Sequence, residues 1–565
     1  MKTQTPVPLG FARAECTHTL ASRALISLTT SAIWFVLPCE MRAEISQVPN
    51  PVSSGGAATT QTLSVPPGPV AQPAPSAAPT NGQPAAGAPP LVNATLGLSF
   101  EDDYLLHSIN GGASGAAHIP ADPHGAVGPN HLVSVVNTSI RWSRIADEVI
   151  ENSQRLDPLN GNAAGAFFAS QFDATNSNDD TFDPRVVYDQ HNGRFIVVAL
   201  ARTGTAENQI GNHSRILIAV SDDADPNGVW RFAQINARTT INSGGTNRDT
   251  FADYPCVGLD GDAVYITANM IPFGTGVGVG SRLWIVRKTE LYSGAGISST
   301  VHNPIQSAPV TNTEQGVILQ PAHVFGAAGV NGGAAGTFLV SAGWNDPADS
   351  GRDYLLVQRI NNPLPGAGQT TTFTSQFVNL GGSVDETNPI TGIIPEAPQQ
   401  GTNQLLRTGN TRAQNAVWRN NRLYTCNTVV PPAATLPAVN PDAGEATVRW
   451  YVVDVQLASG WTIAGQGNIG GETIAPHTST FFPSIMADAA GNIGIGFSAS
   501  ASTIYPSAYF TGRLVADAAG STRPPGAAAV GEDFYFRTFS TASNAVNRWG
   551  DYSAMALDPE DESTF

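Results

Sequence analysis

Charge is scarce in this chain. Lys, Arg, Asp and Glu make up only 13% of the 565 residues. That is too few to cover the wet faces of long surface helices. Cysteine is scarcer still, at four residues, which excludes a disulfide-dense scaffold. Positive charge is outnumbered, 28 Lys and Arg against 45 Asp and Glu, for a net charge of −17. Such a chain repels nucleic acid and anionic membranes at long range, so neither is an expected partner. Past the N-terminal region no apolar run is long enough to cross a bilayer as a helix, so no integral membrane segment is expected in the mature chain. Also missing are a Gly-Lys-Ser/Thr phosphate loop, His-Glu-x-x-His, Cys-x-x-Cys and a Gly-x-Ser-x-Gly nucleophile turn.

What is plentiful is Gly (57) and Pro (41), a balance that suits many short strands joined by turns. The N-terminus reads as an export signal over residues 1–43. Lys2, Arg13 and Arg23 precede an apolar stretch from Ala24 to Pro38, too short to span a bilayer but suited to a signal-peptide core. Residues 44–92 follow as a linker rich in Pro, Ala, Gly and Ser, with no charged residue between Glu44 and Glu101. It has too little apolar surface to offset its ordering entropy and is expected to be a disordered tether. Cys16 and Cys39 would leave with the signal. Cys256 and Cys426 remain inside strand-like runs, where buried thiols are the first reading and a disulfide the alternative.

From residue 93 to 565 one pattern recurs. A short entry, often Asp-Pro or Asp-Tyr, leads into an apolar strand, a Gly/Asn/Asp turn and a second apolar strand. Copies begin at Asp122, Asp183, Asp253, Gln320, Gln414, Phe482 and Asp551. Each reads as a hairpin. Third strands are legible at 215–221, 282–286 and 447–454. The recurring phase predicts an all-β fold, a β-propeller with seven blades, in preference to paired β-sandwiches. The last copy stops at Phe565. The seventh blade is therefore expected either to close with a strand near Ala94–Glu101 or to be truncated.

The repeats resemble a family of secreted bacterial β-propeller proteins related in architecture to sialidases. The resemblance is carried by Asp122-Pro-His-Gly-Ala-Val-Gly-Pro-Asn-His with Val135-Val-Asn-Thr-Ser, Asp183-Pro-Arg-Val-Val-Tyr-Asp, Ile218-Ala-Val-Ser with Asp225-Pro-Asn-Gly, Asp253-Tyr-Pro, and Asn547-Arg-Trp-Gly-Asp-Tyr-Ser-Ala-Met-Ala-Leu-Asp-Pro. The family's usual form has Asn in place of His124 and continues past Phe565 into aromatic strands. The resemblance implies export, to the periplasm, the cell surface or the medium, and a propeller. It implies no reaction.

Asp122, Asp183, Asp253 and Asp551 share one phase, just before what would be the innermost strand, and would meet at one mouth of the central channel. Carboxylates placed this way could act as the acid and base of a glycan hydrolase or lyase. The bland reading is that each caps its own turn. His124, Arg248, His323, Arg412, His477 and Arg548 are candidate ligand-binding residues around the same mouth. Asp223, Asp225 and Asn227 read as the opening of a calcium loop, though Gln234 and Pro226 fit an EF-hand poorly, and a structural turn with Trp230 packed beneath is preferred. The expected function is binding of a polysaccharide, or a cell-surface glycan or protein, at the channel mouth. A glycan-active enzyme and a purely structural cell-surface protein are the alternatives.

Overall fold

The computed structural model describes residues 119–565 apart from short internal stretches, together with 87–91, 97–99, 102, 103 and 106. The chain divides into Met1–Cys39 and Glu40–Phe565. The first unit, the expected signal peptide and the linker up to residue 86 lie outside the described residues. No described helix is long and apolar enough to cross a membrane.

The second unit is all-β, in successive antiparallel sheets with a propeller-like arrangement. The first sheet runs β1 (His124–Val127), β2 (His131–Val136), β3 (Ser139–Arg144) and β4 (Ile150–Arg155). The second holds β5 (Asp180–Asp189), β6 (Arg194–Thr203), β7 (His213–Ser221) and β8 (Trp230–Asn236). In the third, β9 (Thr239–Ser243) extends the edge beside β10 (Thr246–Leu259), followed by β11 (Ala263–Pro272), β12 (Gly280–Arg287), a short helix α1 (Lys288–Ser293) and β13 (Ser299–His302). Next come β14 (Gln320–Val324), β15 (Phe338–Asp346), β16 (Arg352–Asn361) and β17 (Thr372–Asn379). The fifth group comprises β18 (Asn415–Arg419), β19 (Arg422–Val429), β22 (Thr447–Asp454) and β23 (Thr462–Ile469), interrupted by a small hairpin of β20 (Ala434–Thr435) and β21 (Ala438–Val439). Parallel pairing of β14 with β18 fuses the fourth and fifth groups into one eight-stranded sheet. The sixth is β24 (Ser479–Ala487), β25 (Ile493–Ala501), β26 (Ile504–Arg513) and β27 (Gly526–Ala529).

Neighbouring blades share their cores. Along β6, Ile196, Val198 and Leu200 join one apolar cluster with the third blade, through Ile266 and Trp284. The alternate residues Phe195, Val197 and Ala199 join another with the first blade, through Val133 and Trp142. Period-2 side chains thus bury both faces of the strand, which is why it reads as an almost continuous apolar run. Equivalent clusters lie between the third and fourth, fourth and fifth, and fifth and sixth blades. Each blade is stabilised by its neighbours. Trp142, Trp230, Trp284, Trp344, Trp418, Trp450 and Trp461 are all buried in these clusters, so they serve packing rather than a sugar-stacking face.

The recurring entry signal has a backbone cause. Asp122, Asp183, Tyr254 and Phe482 have φ of 46°, 51°, 53° and 48°, and each precedes a proline. In three of the four strands the ladder register shifts at this point, between Phe182 and Arg185, Asp253 and Cys256, and Phe481 and Ser484. Proline cannot donate to a ladder and is accommodated at a bulge. The sequence phase needs one correction here. Tyr254, not Asp253, is the equivalent of Asp122 and Asp183, while Asp253 pairs in the ladder with Asn269.

After the sixth group the chain runs into a segment, residues 551–557, that forms no described strand. Ser553 Oγ donates to the Phe482 carbonyl and the Met555 N–H to Ser484 Oγ, which seats the C-terminal segment beside β24. On its other side the Asp551 N–H donates to Asp122, just before β1. The expected closing strand near Ala94–Glu101 is not formed in its described part. Residues 97–99 are irregular, and this stretch docks on β3, where Arg141 donates to the Gly97 carbonyl and pairs with Asp102 at 3.1 Å.

Candidate functional site

The inner segments line a narrow central channel, with a cavity volume of about 80 Å³. Each contributes lining: His124 from β1, Arg185 from β5, Val257 from β10, His323 from β14, Ser484 from β24 and Met555 from the C-terminal segment, with Gln414 just ahead of β18. Two residues past three of the four proline-preceding positions comes a channel-lining residue. That offset gives His124, Arg185 and Ser484.

The four phased aspartates all lie below the surface, and Asp122, Asp183 and Asp551 belong to one hydrogen-bonded chain. Asp122, Asp183, Asp253 and Asp551 are 1%, 4%, 6% and 8% exposed. Asp122 Oδ1 accepts the Asp551 N–H at 2.7 Å and its Oδ2 accepts the Asn137 amide at 2.8 Å. Asn137 Oδ1 in turn accepts the Asp183 N–H at 2.7 Å, and Asp183 Oδ2 accepts the Tyr254 N–H at 3.1 Å. Asp551 pairs with Arg548. Carboxylates thus stitch one inner segment to the next around the mouth. Charge-assisted bonds to backbone N–H groups make good staples, and these run to other inner segments rather than to each aspartate's own turn. Asn137, a central member, lies just after β2 in the run Val135-Val-Asn-Thr-Ser.

Just inside the staples a stack of cations and aromatics fills the mouth. The Arg185 guanidinium lies 3.3 Å from the Tyr552 ring centroid and 5.2 Å from that of Tyr254, and Arg412 covers Tyr254 at 4.1 Å. Tyr254 hydroxyl donates to Gln414 Oε1 at 3.2 Å, and Tyr552 hydroxyl to the Pro184 carbonyl at 3.0 Å. Burial pushes the Tyr254 phenol up to about 12 and that of Tyr552 well above its ordinary value. Burial works against the charge of Arg185, but Tyr552, Tyr254 and Cys256 outweigh it and the guanidinium stays cationic. Its Nε donates to the Pro255 carbonyl at 2.9 Å.

His124 Nδ1 accepts the Val186 N–H at 3.4 Å, which assigns the ring proton to Nε2. Desolvation, with Arg185 adding, pulls its pKa down to about 3. Desolvation likewise pulls His323 well below the usual imidazole range, and its Nε2 meets Gln190 Oε1 at 2.8 Å. Both imidazoles are neutral at physiological pH. Deeper in the channel Phe325 stacks on His323 with centroids 4.5 Å apart.

The remaining candidates lie elsewhere. Arg248 is paired with Glu207 at 2.6 Å and does not line the channel. His477 is largely exposed and meets Glu445 at 3.0 Å. Arg412 and Arg548 belong to the mouth, one on Tyr254 and the other on Asp551. Arg185 and Gln414, the two channel residues with unmet donors, did not stand out in the sequence because neither sits at the conspicuous Asp-Pro position. Cys256 and Cys426 are buried free thiols, which overturns the disulfide alternative, and burial pushes both thiol pKa values up, away from nucleophile behaviour.

Asp223, Asp225 and Asn227 form a turn. Asp223 Oδ1 accepts the Asp225 N–H at 2.8 Å, Asp225 Oδ1 accepts the Asn227 N–H at 3.0 Å, and Asn227 Oδ1 accepts the Trp142 indole N–H at 2.8 Å. Trp230 donates to the Pro226 carbonyl at 2.8 Å. These oxygens bond N–H groups, and among the described residues no cluster of three or more His, Cys, Asp or Glu is placed to hold a metal.

No family model matches the chain, and no curated protein matches it. Among solved structures it is similar to a putative glycoside hydrolase from Parabacteroides distasonis, with 13% identity over 59% of this chain and 87% of that one and a TM-score of 0.27. An alpha-L-arabinanase from Cellvibrio cellulosa complexed with arabinohexaose gives 13% identity over 60% and 94%, with a TM-score of 0.27. A Hadza microbial sialidase gives 12% over 76% and 68%, with a TM-score of 0.33. At that distance the fold rests on the sheets described above and the chemistry on the residues.

Proposed function

We propose that this protein is an exported, non-catalytic propeller that binds a saccharide segment in its central channel. The observation that carries this reading is the state of the carboxylates. Glycoside hydrolysis needs an acid and a base or nucleophile facing the substrate, roughly 5 to 10 Å apart. All four phased aspartates are buried; Asp122 and Asp183 accept N–H groups of the protein and Asp551 pairs with Arg548. Glu562 is the one carboxylate among the described lining residues, and it pairs with Arg419. What remains facing the channel is amide, imidazole, guanidinium and the apolar surfaces of Phe325 and Met486, a mixture that suits hydroxyl-rich ligands. We read the inner segment 551–557 as the inner position of a seventh blade. Export is supported by the apolar stretch at residues 24–38, and tethering by the uncharged linker.

The test is a panel of polysaccharides presented to the purified protein, read both as retention and as release of reducing ends. Retention without release is expected. Release that disappears in Asp253→Asn would establish the hydrolase instead.

A further inference from the structure

Resting on that reading, we infer that the saccharide taken by the channel carries a carboxylate, and that Arg185 receives it. The channel wall near the plugged mouth offers donors and almost no free acceptors. Arg185 is 3% exposed, lines the channel, and has no hydrogen-bonded carboxylate partner among the described residues; its Nη2 meets no acceptor at all. A buried cation is ordinarily paired, because the desolvation cost is otherwise uncompensated. Tyrosine faces supply part of that compensation here, but Nη2 is left without an acceptor.

Gln414 adds a second donor. It is 1% exposed, its Oε1 is taken by the Tyr254 hydroxyl, and its Nε2 is without a partner. Arg185 and Gln414 both touch Tyr254, one over the ring and the other at the hydroxyl, so the two donors share one end of the channel. His124 adds a third, since its Nδ1 is occupied and its proton lies on Nε2. The acceptors nearby are engaged. Ser484 Oγ takes the Met555 N–H, and Asn415 Oδ1 takes the Ile485 N–H at 3.0 Å. Three convergent donors with a single positive charge match a monoanion with several lone pairs. A carboxylate fits the planar guanidinium fork; a phosphate monoester would bring a second negative charge to a single cation, and a sulfate ester, though a monoanion, presents a tetrahedral rather than a planar set of oxygens. The ligand class is therefore a uronate-containing saccharide.

The test is calorimetry on the whole purified protein with tri-galacturonate and, in parallel, the neutral galactose trisaccharide. Tri-galacturonate should bind at least about tenfold more tightly, a difference of about 1.4 kcal/mol. Gln414→Glu keeps the acceptor for Tyr254 but places a resident carboxylate beside Arg185. It should cost tri-galacturonate about tenfold or more while the neutral sugar is unaffected. Arg185→Gln should act the same way, and Gln414→Glu remains informative should that variant fold poorly. Equal affinity for the two sugars, binding of the neutral one alone, or indifference to Gln414→Glu overturns the carboxylate inference and leaves the saccharide reading standing. Failure of both sugars overturns the two together.

Discussion

The backbone N–H of Asp551 donates to Oδ1 of Asp122 at 2.7 Å, across 429 residues of sequence. This bond joins the C-terminal inner segment to the residue that opens the first blade. It belongs to the same staple chain as the Asn137 and Asp183 bonds, so one carboxylate clasps both the turn after β2 and the C-terminal segment.

Asp122→Ala should therefore destabilise the fold. It strips acceptors from the Asp551 N–H and the Asn137 amide, and it places alanine at a φ of 46°. The expected cost is roughly 2–5 kcal/mol. Asp122→Asn keeps a residue tolerant of positive φ and one acceptor, and should cost about 1–2 kcal/mol. Chemical denaturation measures both. A midpoint for Asp122→Ala equal to that of the parent would remove the clasp from this account.

The loop at 221–230 yields a second prediction, aimed at the calcium alternative. Asn227→Ala leaves the Trp142 indole N–H without its acceptor, between the first two blades. A loss of about 1–3 kcal/mol is expected. Because the side-chain oxygens of this turn bond N–H groups, added calcium or a chelator should leave the melting temperature in place. A calcium-dependent rise that Asp225→Asn abolishes would restore the metal reading.

The fold was legible in the sequence because its physics is local and repeated. Hairpins such as β5–β6 announce themselves by apolar strands around an Asp/Asn/Gly turn, and Pro123, Pro184, Pro255, Pro321 and Pro483 mark the phase of five inner strands. The third strands at β7, β12 and β22 fell where their apolar runs indicated. The sharing of apolar clusters between blades was implicit in strands too apolar to have a wet face. The site was less legible, for a physical reason. Asp-Pro draws the eye as a possible acid, but a residue held at positive φ beside a bulge turns its carboxylate toward neighbouring N–H groups. The channel belongs to residues two places further on. Asp253 misled by one position because Tyr254 holds the equivalent backbone conformation. Arg248 and His477 illustrate the other limit: they titrate and look functional in sequence, but only the three-dimensional packing shows that each faces a glutamate away from the channel.

The channel imidazoles fix the sign of the acid response. His124 titrates near 3 in the folded chain because desolvation, and then Arg185, disfavour its charge. In the unfolded chain it titrates at about 6.5. Between those values the unfolded state binds a proton that the folded state refuses, so stability falls as pH falls, by up to about 1.4 kcal/mol for each unit crossed. His323 is shifted the same way by burial. At pH 8 both are neutral in either state and contribute nothing to this slope. His124→Gln should therefore melt at or below the parent temperature at pH 8, where it loses only packing. As the pH is lowered from 7 to 4.5 the variant should lose less than the parent, so the gap narrows and then reverses. His124→Gln combined with His323→Gln should flatten the limb further. Thermal melts at pH 8, 6 and 4.5 provide the check, and a parent–variant gap that stays constant across them would show that His124 accepts its proton in the folded protein.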